Sequence, residues 1–146
     1  GNNMANSLIV GGLKVGMNVA VATPDGYKPD GAVLEFTKGY GDKFALETDP
    51  FMAASGADIL ITDTWTSMGE EAEKEERKKI FKDYQINKQL LTAANAGAMV
   101  QHCLPAYRGQ EITEEVFEEH ADEIFNEAEN RLHAQKAVMV KLMKKD

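Results

Sequence analysis

Cysteine occurs once in the 146-residue sequence, at Cys103, so an internal disulfide is excluded and a free thiol remains. That usage fits a reducing compartment, and a cytoplasmic location is expected. Zinc-type Cys/His spacing is missing as well, and no metal site is expected. Positive charge is in deficit: 16 Lys and Arg stand against 24 Asp and Glu, a net charge of -8 and a pI near 4.9. A surface for nucleic acid or an anionic membrane needs clustered Lys and Arg to displace counterions, so neither partner is expected. No apolar run approaches the roughly 18 residues of a membrane span, and the N-terminus lacks the basic-then-apolar pattern of a signal peptide. A soluble protein is expected. Repeats and low-complexity linkers are absent, and so are the dinucleotide glycine fingerprint and the phosphate loop, which removes the usual support for nucleotide binding.

What is present suffices for one ordinary domain with a real core, since 43% of the residues are hydrophobic. "NNMANSLIVGGLKVG" places Met4, Leu8, Ile9 and Leu13 near one helical face, with Gly16 as its stop. "MNVAVAT" reads as a strand ended by the turn formers of "PDGYKPDG". A short helix "AVLEFTK", a strand "KFALET", a helix "DPFMAASG" with Pro50 suited to its first turn, and a strand "ADILIT" follow. "GEEAEKEERKKIFKDY" carries Glu70 and Lys74, Glu73 and Arg77, and Glu75 and Lys79 four apart with the acid first, the mark of a solvated helix face. "NKQLLTAAN" is a helix, "AMVQHC" a fourth strand and "TEEVFEEH" an acidic helix. "EAENRLHAQKAVMVKLMKK" closes the chain as a long helix offering Leu132, Ala137, Val138 and Leu142 for packing. Strands alternating with helices predict an α/β fold, an open parallel sheet with helices on both faces. Ligands of such sheets sit beyond the carboxyl ends of the strands, which directs attention to "TPDGYKPDG", "TDTWTSMG", "HCLPAYRG" and "GNNMANS".

Each polar residue there has a bland reading beside a chemical one. Asp63, at a strand end, can hold an ammonium group or orient a base, or simply serve as a cap or turn carboxylate. Cys103 can be a nucleophile or a polar liner, although a lone cysteine is commonly a small buried hydrophobe. His102 is no automatic base for it, because neighbouring strand residues face opposite sides, and a structural role fits His102 equally. Arg131 can reach an anion or pair with a nearby Glu at the surface. Asn2 and Asn3 can be helix caps. His120 and His133 read as surface residues.

Taken in order, "GNNMANS", "ATPDGYKPD", "ITDTWTSMGEE", "QHCLPAYRG" and "EAENRLHAQKAVMV" resemble the second, ornithine-binding domain of ornithine carbamoyltransferases, over essentially the whole of residues 1–146. "HCLP" is shared by several transcarbamylases, and "TSMG" is associated with ornithine as the acceptor. The resemblance implies transfer of the carbamoyl group from carbamoyl phosphate to the side-chain amine of L-ornithine, giving L-citrulline and phosphate, with no cofactor. By motif, Asn3, Asp63, Ser67 and Met68 would bind ornithine. Cys103 and Leu104 would line the junction of the two substrates, and Arg131 would contact carbamoyl phosphate. Asp63, Cys103 and Arg131 would be the catalytic set. Full-length members form homotrimers or multiples of them. An α-ammonium calls for a carboxylate such as Asp63, and an α-carboxylate for neutral donors such as Asn3 and the Met68 main chain. The attacking amine must shed a proton, a task for Asp63 and Cys103, while the Leu104 carbonyl accepts a hydrogen bond from it. Arg131 would stabilise charge developing on the carbamoyl oxygen or phosphate.

Departures from the family pattern set further expectations. Nothing resembles the first domain with its phosphate loop, so the carbamoyl-phosphate half of the site is expected to be absent and the chain inactive alone. The sequence begins at Gly1, inside the family's "GDGNN" turn, which implies a missing central strand and exposed strand edges. Around "GAVLEFTKGYGDKF" a peripheral helix is expected to be about one turn shorter. The apolar face of the last helix is expected to be exposed, mispaired or used in association. Gly69 would hinge a "TSMG" lid, with Trp65 packed beneath it. Two alternatives stay open: a transcarbamylase for another amine, such as putrescine or a modified ornithine, and a non-catalytic amino-acid-binding or assembly module.

Overall fold

A computed structural model describes residues 1–66 and 74–144 of the chain. Helix α1, Asn3–Lys14, starts where the Asn2 side chain accepts the Ala5 N–H at 2.9 Å, satisfying one of the free donors of the first turn. It ends before Gly16, whose φ of 91° suits glycine. Ile9 and Leu13, four apart, are its buried residues, while Leu8 is left at the surface. Strand β1, Val19–Ala22, lies so close beneath α1 that a Cβ on Gly12 would sit 2.9 Å from the Val19 Cγ2. After α2, Gly31–Thr37, a 3-10 segment, Lys38–Lys43, leads into β2, Phe44–Glu47. Asp49 caps α3, Pro50–Ala54, through the Phe51 N–H, with Pro50 in the first turn where its missing N–H costs nothing. Strand β3, Ile59–Thr62, precedes α4, Lys74–Phe81. Helix α5, Lys88–Leu91, strand β4, Met99–His102, helix α6, Glu114–Glu119, and helix α7, Ala121–Met143, complete the order.

Among the described residues all strand pairs are parallel, as the alternation of strands and helices demands, but they form two sheets. β1 pairs with β2, Val19 opposite Phe44 through Ala22 opposite Glu47, and β3 pairs with β4, Ile59 opposite Met99 through Thr62 opposite His102. No pairing joins β1 to β3 among the described residues. A cleft of about 1120 Å³ is lined by both strands, from Val19 to Ala22 and from Ile59 to Thr62.

The main core packs on the second sheet. Leu60 and Val100 pack there with Ile86, Leu90, Ile112, Val116, Phe117 and Ile124. The period of two in β4 turns Val100 and His102 into this core and leaves Gln101 and Cys103 lining the cleft. Helix α7 shields the free edge of β4, where Glu123 accepts the Val100 N–H at 2.8 Å. It begins six residues earlier than "EAENR" suggests, because Ile124 is fully buried and His120 carries the chain from α6 straight into it. His120 is therefore no surface residue: its ring is largely covered and lies 2.9 Å from Glu123. His133 is exposed, as expected. Leu132, Val138 and Leu142 are exposed, so of the outcomes expected for the apolar face of α7 the chain shows the exposed one. Of the three acid-base spacings anticipated on α4, those of Glu70 and Glu73 fall outside the described residues, and Glu75 meets Lys78, one turn position short of Lys79, at 2.9 Å.

Candidate functional site

The carboxyl ends of β3 and β4 place Asp63 and Cys103 side by side, one residue beyond each strand, with the Cys103 N–H donating to the Thr62 carbonyl at 3.3 Å. The start of α1 approaches the same point. Asn2 donates from Nδ2 to the Asp63 Oδ2 at 3.0 Å, while the other Asp63 oxygen accepts the Thr64 N–H at 2.9 Å. A carboxylate so held is aimed, and each oxygen keeps a lone pair for a ligand. Asn3, the first residue of α1, is exposed and lines the cleft with Asn2 and Asp63. The amino group of Gly1 donates to the Tyr27 carbonyl, closing this corner against the turn after β1.

Below Asp63 the wall is aromatic. Trp65 stacks on Phe81 with centroids 6.0 Å apart, Tyr27 meets Phe81 edge-on at 4.9 Å, and the Arg77 guanidinium lies over Tyr27 at 5.5 Å. Arg77 also donates to the Trp65 carbonyl at 3.4 Å, so the residues just before the "TSMG" segment are tied to α4. Ser67, Met68 and Gly69 lie outside the described residues.

Electrostatics sort the remaining candidates. Burial pushes the Cys103 thiol up to about 12, the nearby negative charges of Asp63 and Glu127 add to this, and a backbone hydrogen bond and Arg131 only partly offset it. At neutral pH Cys103 is a thiol, neither a thiolate nucleophile nor a base. Leu104, the next residue, has a φ of 51°, a left-handed conformation that costs a non-glycine residue on the order of 1–2 kcal/mol. Its side chain packs on the core, so the strained backbone is held in place from below. Arg131 is exposed on α7 outside the cleft lining, yet its charge reaches Cys103.

Glu127 belongs to this constellation and has no role in the sequence reading. Burial raises its carboxyl, a hydrogen bond from the His102 main chain acts the other way, and Asp63 is among its charged neighbours. One oxygen, Oε2, is buried without a partner in the structure. The available signal was its spacing, four residues before Arg131 and hence on the same face of α7. Asn2 likewise does more than cap α1. No group of three or more metal-ligating side chains occurs among the described residues, and none of their helices is long and apolar enough to cross a membrane.

Residues 1–142 match the family model for the Asp/Orn-binding domain of aspartate/ornithine carbamoyltransferases. The chain is 56% identical over 147 aligned positions to the ornithine carbamoyltransferase of Gloeobacter violaceus, with 98% of this chain and 47% of that protein covered. Among solved structures, the anabolic ornithine carbamoyltransferase of Campylobacter jejuni superposes with a TM-score of 0.91 at 44% identity, covering 97% of this chain and 48% of that one. The enzyme of Pyrococcus furiosus superposes with a TM-score of 0.84 at 47% identity, covering 96% and 46%. The chain spans about half the length of these relatives.

Proposed function

Because the chain belongs to the aspartate/ornithine carbamoyltransferase family, as its Asp/Orn-binding domain, we propose that it supplies the ornithine-binding half of an enzyme that carbamoylates the side-chain amine of ornithine. The observation that carries this reading is the Asn2–Asp63 clamp set beside Cys103 and Leu104 at the ends of β3 and β4. In it, the α-ammonium of ornithine meets Asp63, and the α-carboxylate meets the Asn3 amide with Ser67 and the main chain at Met68. The side-chain amine extends toward Cys103 and the Leu104 carbonyl.

That amine attacks the carbonyl carbon of carbamoyl phosphate, the C–N bond forms as the C–O bond to phosphate breaks, and a proton leaves the nitrogen. A neutral Cys103 thiol cannot take that proton. It offers a weakly polar wall that disfavours the charged ammonium form by keeping water away. The carboxylates beside the thiol, Asp63 and Glu127, are the acceptors the described residues offer, and the Leu104 carbonyl aligns the nitrogen lone pair. Arg131 stabilises negative charge on the carbamoyl or phosphate oxygens. The carbamoyl-phosphate domain and the homotrimeric state of full-length members are part of the same proposal.

A chimera decides the matter: the chain replaces the matching half of the Gloeobacter violaceus relative, and citrulline formation is followed with ornithine, putrescine and acetylornithine as competing amines. Turnover with ornithine is expected, and none from residues 1–146 alone, since positioning both substrates supplies much of the rate. Steady turnover by the chain alone, or a folded chimera that prefers another amine, would overturn the proposal.

A further inference from the structure

His102 and Glu111 take no part in the scheme above, yet both are buried, at 1% and 0% exposure. The His102 ring accepts the Leu104 N–H at Nδ1, 2.9 Å away, and its Nε2 lies 3.1 Å from the Glu111 Oε1. A nitrogen that accepts carries no proton, so the network assigns the neutral ring protonated at Nε2, which donates to Glu111. The same Glu111 oxygen accepts the Tyr107 N–H at 2.5 Å. Glu111 itself is rooted in the core: its carbonyl accepts the Ile86 N–H at 2.9 Å, the Thr113 N–H returns to the Ile86 carbonyl at 3.0 Å, and Ile112 between them is fully buried.

One buried pair thus grips the loop after β4 at two main-chain donors, Leu104 and Tyr107. The Leu104 N–H belongs to the peptide plane joining it to Cys103, so fixing that N–H fixes the directions in which the Cys103 side chain and the Leu104 main chain leave. The left-handed φ of Leu104 makes this restraint matter, because the unrestrained backbone would relax elsewhere. Both ring nitrogens are occupied, and neither faces the thiol. We propose that His102 and Glu111 are positioning residues, a latch that aims Cys103 and the Leu104 carbonyl at the attacking amine, and that they relay no proton to Cys103. The proposal rests on the functional reading above.

Two measurements test it. In the chain itself, 15N NMR of the His102 imidazole reads the tautomer without any substitution: Nδ1 unprotonated and Nε2 protonated is expected, and a protonated Nδ1 would overturn the latch. In the chimera, kcat per folded enzyme is compared for His102→Asn and His102→Gln. The Asn oxygen can still accept the Leu104 N–H, whereas Gln can reach Glu111 but places no acceptor at the Nδ1 position. Loss of aim predicts a kcat about 100-fold down for His102→Gln, with recovery to within about 10-fold for His102→Asn, and an ornithine KM little changed in both. A merely structural role would scale with lost stability and show no such order. Equal kcat values, or the reverse order, would refute positioning. A wild-type chimera without turnover would sink the functional reading and the catalytic consequence together, while the tautomer measurement still decides whether the latch exists.

Discussion

Asn2 holds two contacts that a small set of substitutions can separate. Its Oδ1 caps α1 through the Ala5 N–H at 2.9 Å, and its Nδ2 reaches Asp63, 61 residues away, at 3.0 Å. Asn2→Ser keeps a capping oxygen but is too short to hold Asp63. Asn2→Ala removes both contacts, and Asn2→Asp keeps the cap but sets a second carboxylate against the first. The cap is worth about 1 kcal/mol, so Ala should be less stable than Ser by that amount. A hydrogen bond to a charged group is worth about 1.5 kcal/mol or more when buried, and this half-buried one should contribute on the order of 1 kcal/mol, the cost expected for Ser. Asn2→Asp replaces that attraction by like-charge repulsion and should cost on the order of 2 kcal/mol although its helix is capped. Urea unfolding monitored by circular dichroism reads these differences as shifts of midpoint at constant m-value. The expected order of stability is wild type, Ser, then Ala and Asp below both. If Asn2→Asp unfolds with the wild type, the Asn2–Asp63 contact does not exist in solution. If Ser and Ala coincide, the cap contributes nothing.

Three further expectations concern Cys103 and Ile124. A thiol held near 12 has a thiolate population about 1000-fold below that of one at 9, so iodoacetamide at pH 8 should alkylate Cys103 some 100- to 1000-fold more slowly than a model thiol, with urea restoring the ordinary rate. Between pH 9 and about 12 the unfolded chain loses this proton while the folded one keeps it, so stability should fall as pH rises through that window; fast alkylation of the folded protein would refute both. Ile124→Ala, at a side chain with no exposure, should cost about 3 kcal/mol in urea unfolding and loosen α7 against β4; a loss below about 1 kcal/mol would mean that α7 does not close this core.

Much of the architecture was legible because its causes are local. Apolar spacing of three and four marks α1, short apolar runs mark the strands, and Asn2, Asp49, Asn87 and Thr113 each stand where a helix needs a capping oxygen. The boundary of α7 was misjudged because "ADEIFN" has weak helical signs of its own, and the pocket that buries Ile124 is built by distant residues. His120 was misplaced for the same reason, since its partner Glu123 is set by that helix.

The sequence by itself determined the order of elements, the parallel α/β character, and which loops end up beyond the strands, since periodicity and turn chemistry act over a few residues. It also carried the motifs that set Asp63, Cys103 and Leu104 apart. Only the tertiary structure decided that Asn2 clamps Asp63, that Glu127 faces Cys103, that the thiol stays neutral, and that His102 and Glu111 form one buried pair. Those facts depend on which surfaces meet and how much water they exclude. Burial and long-range pairing are properties of the packed chain, and no local window of residues contains them.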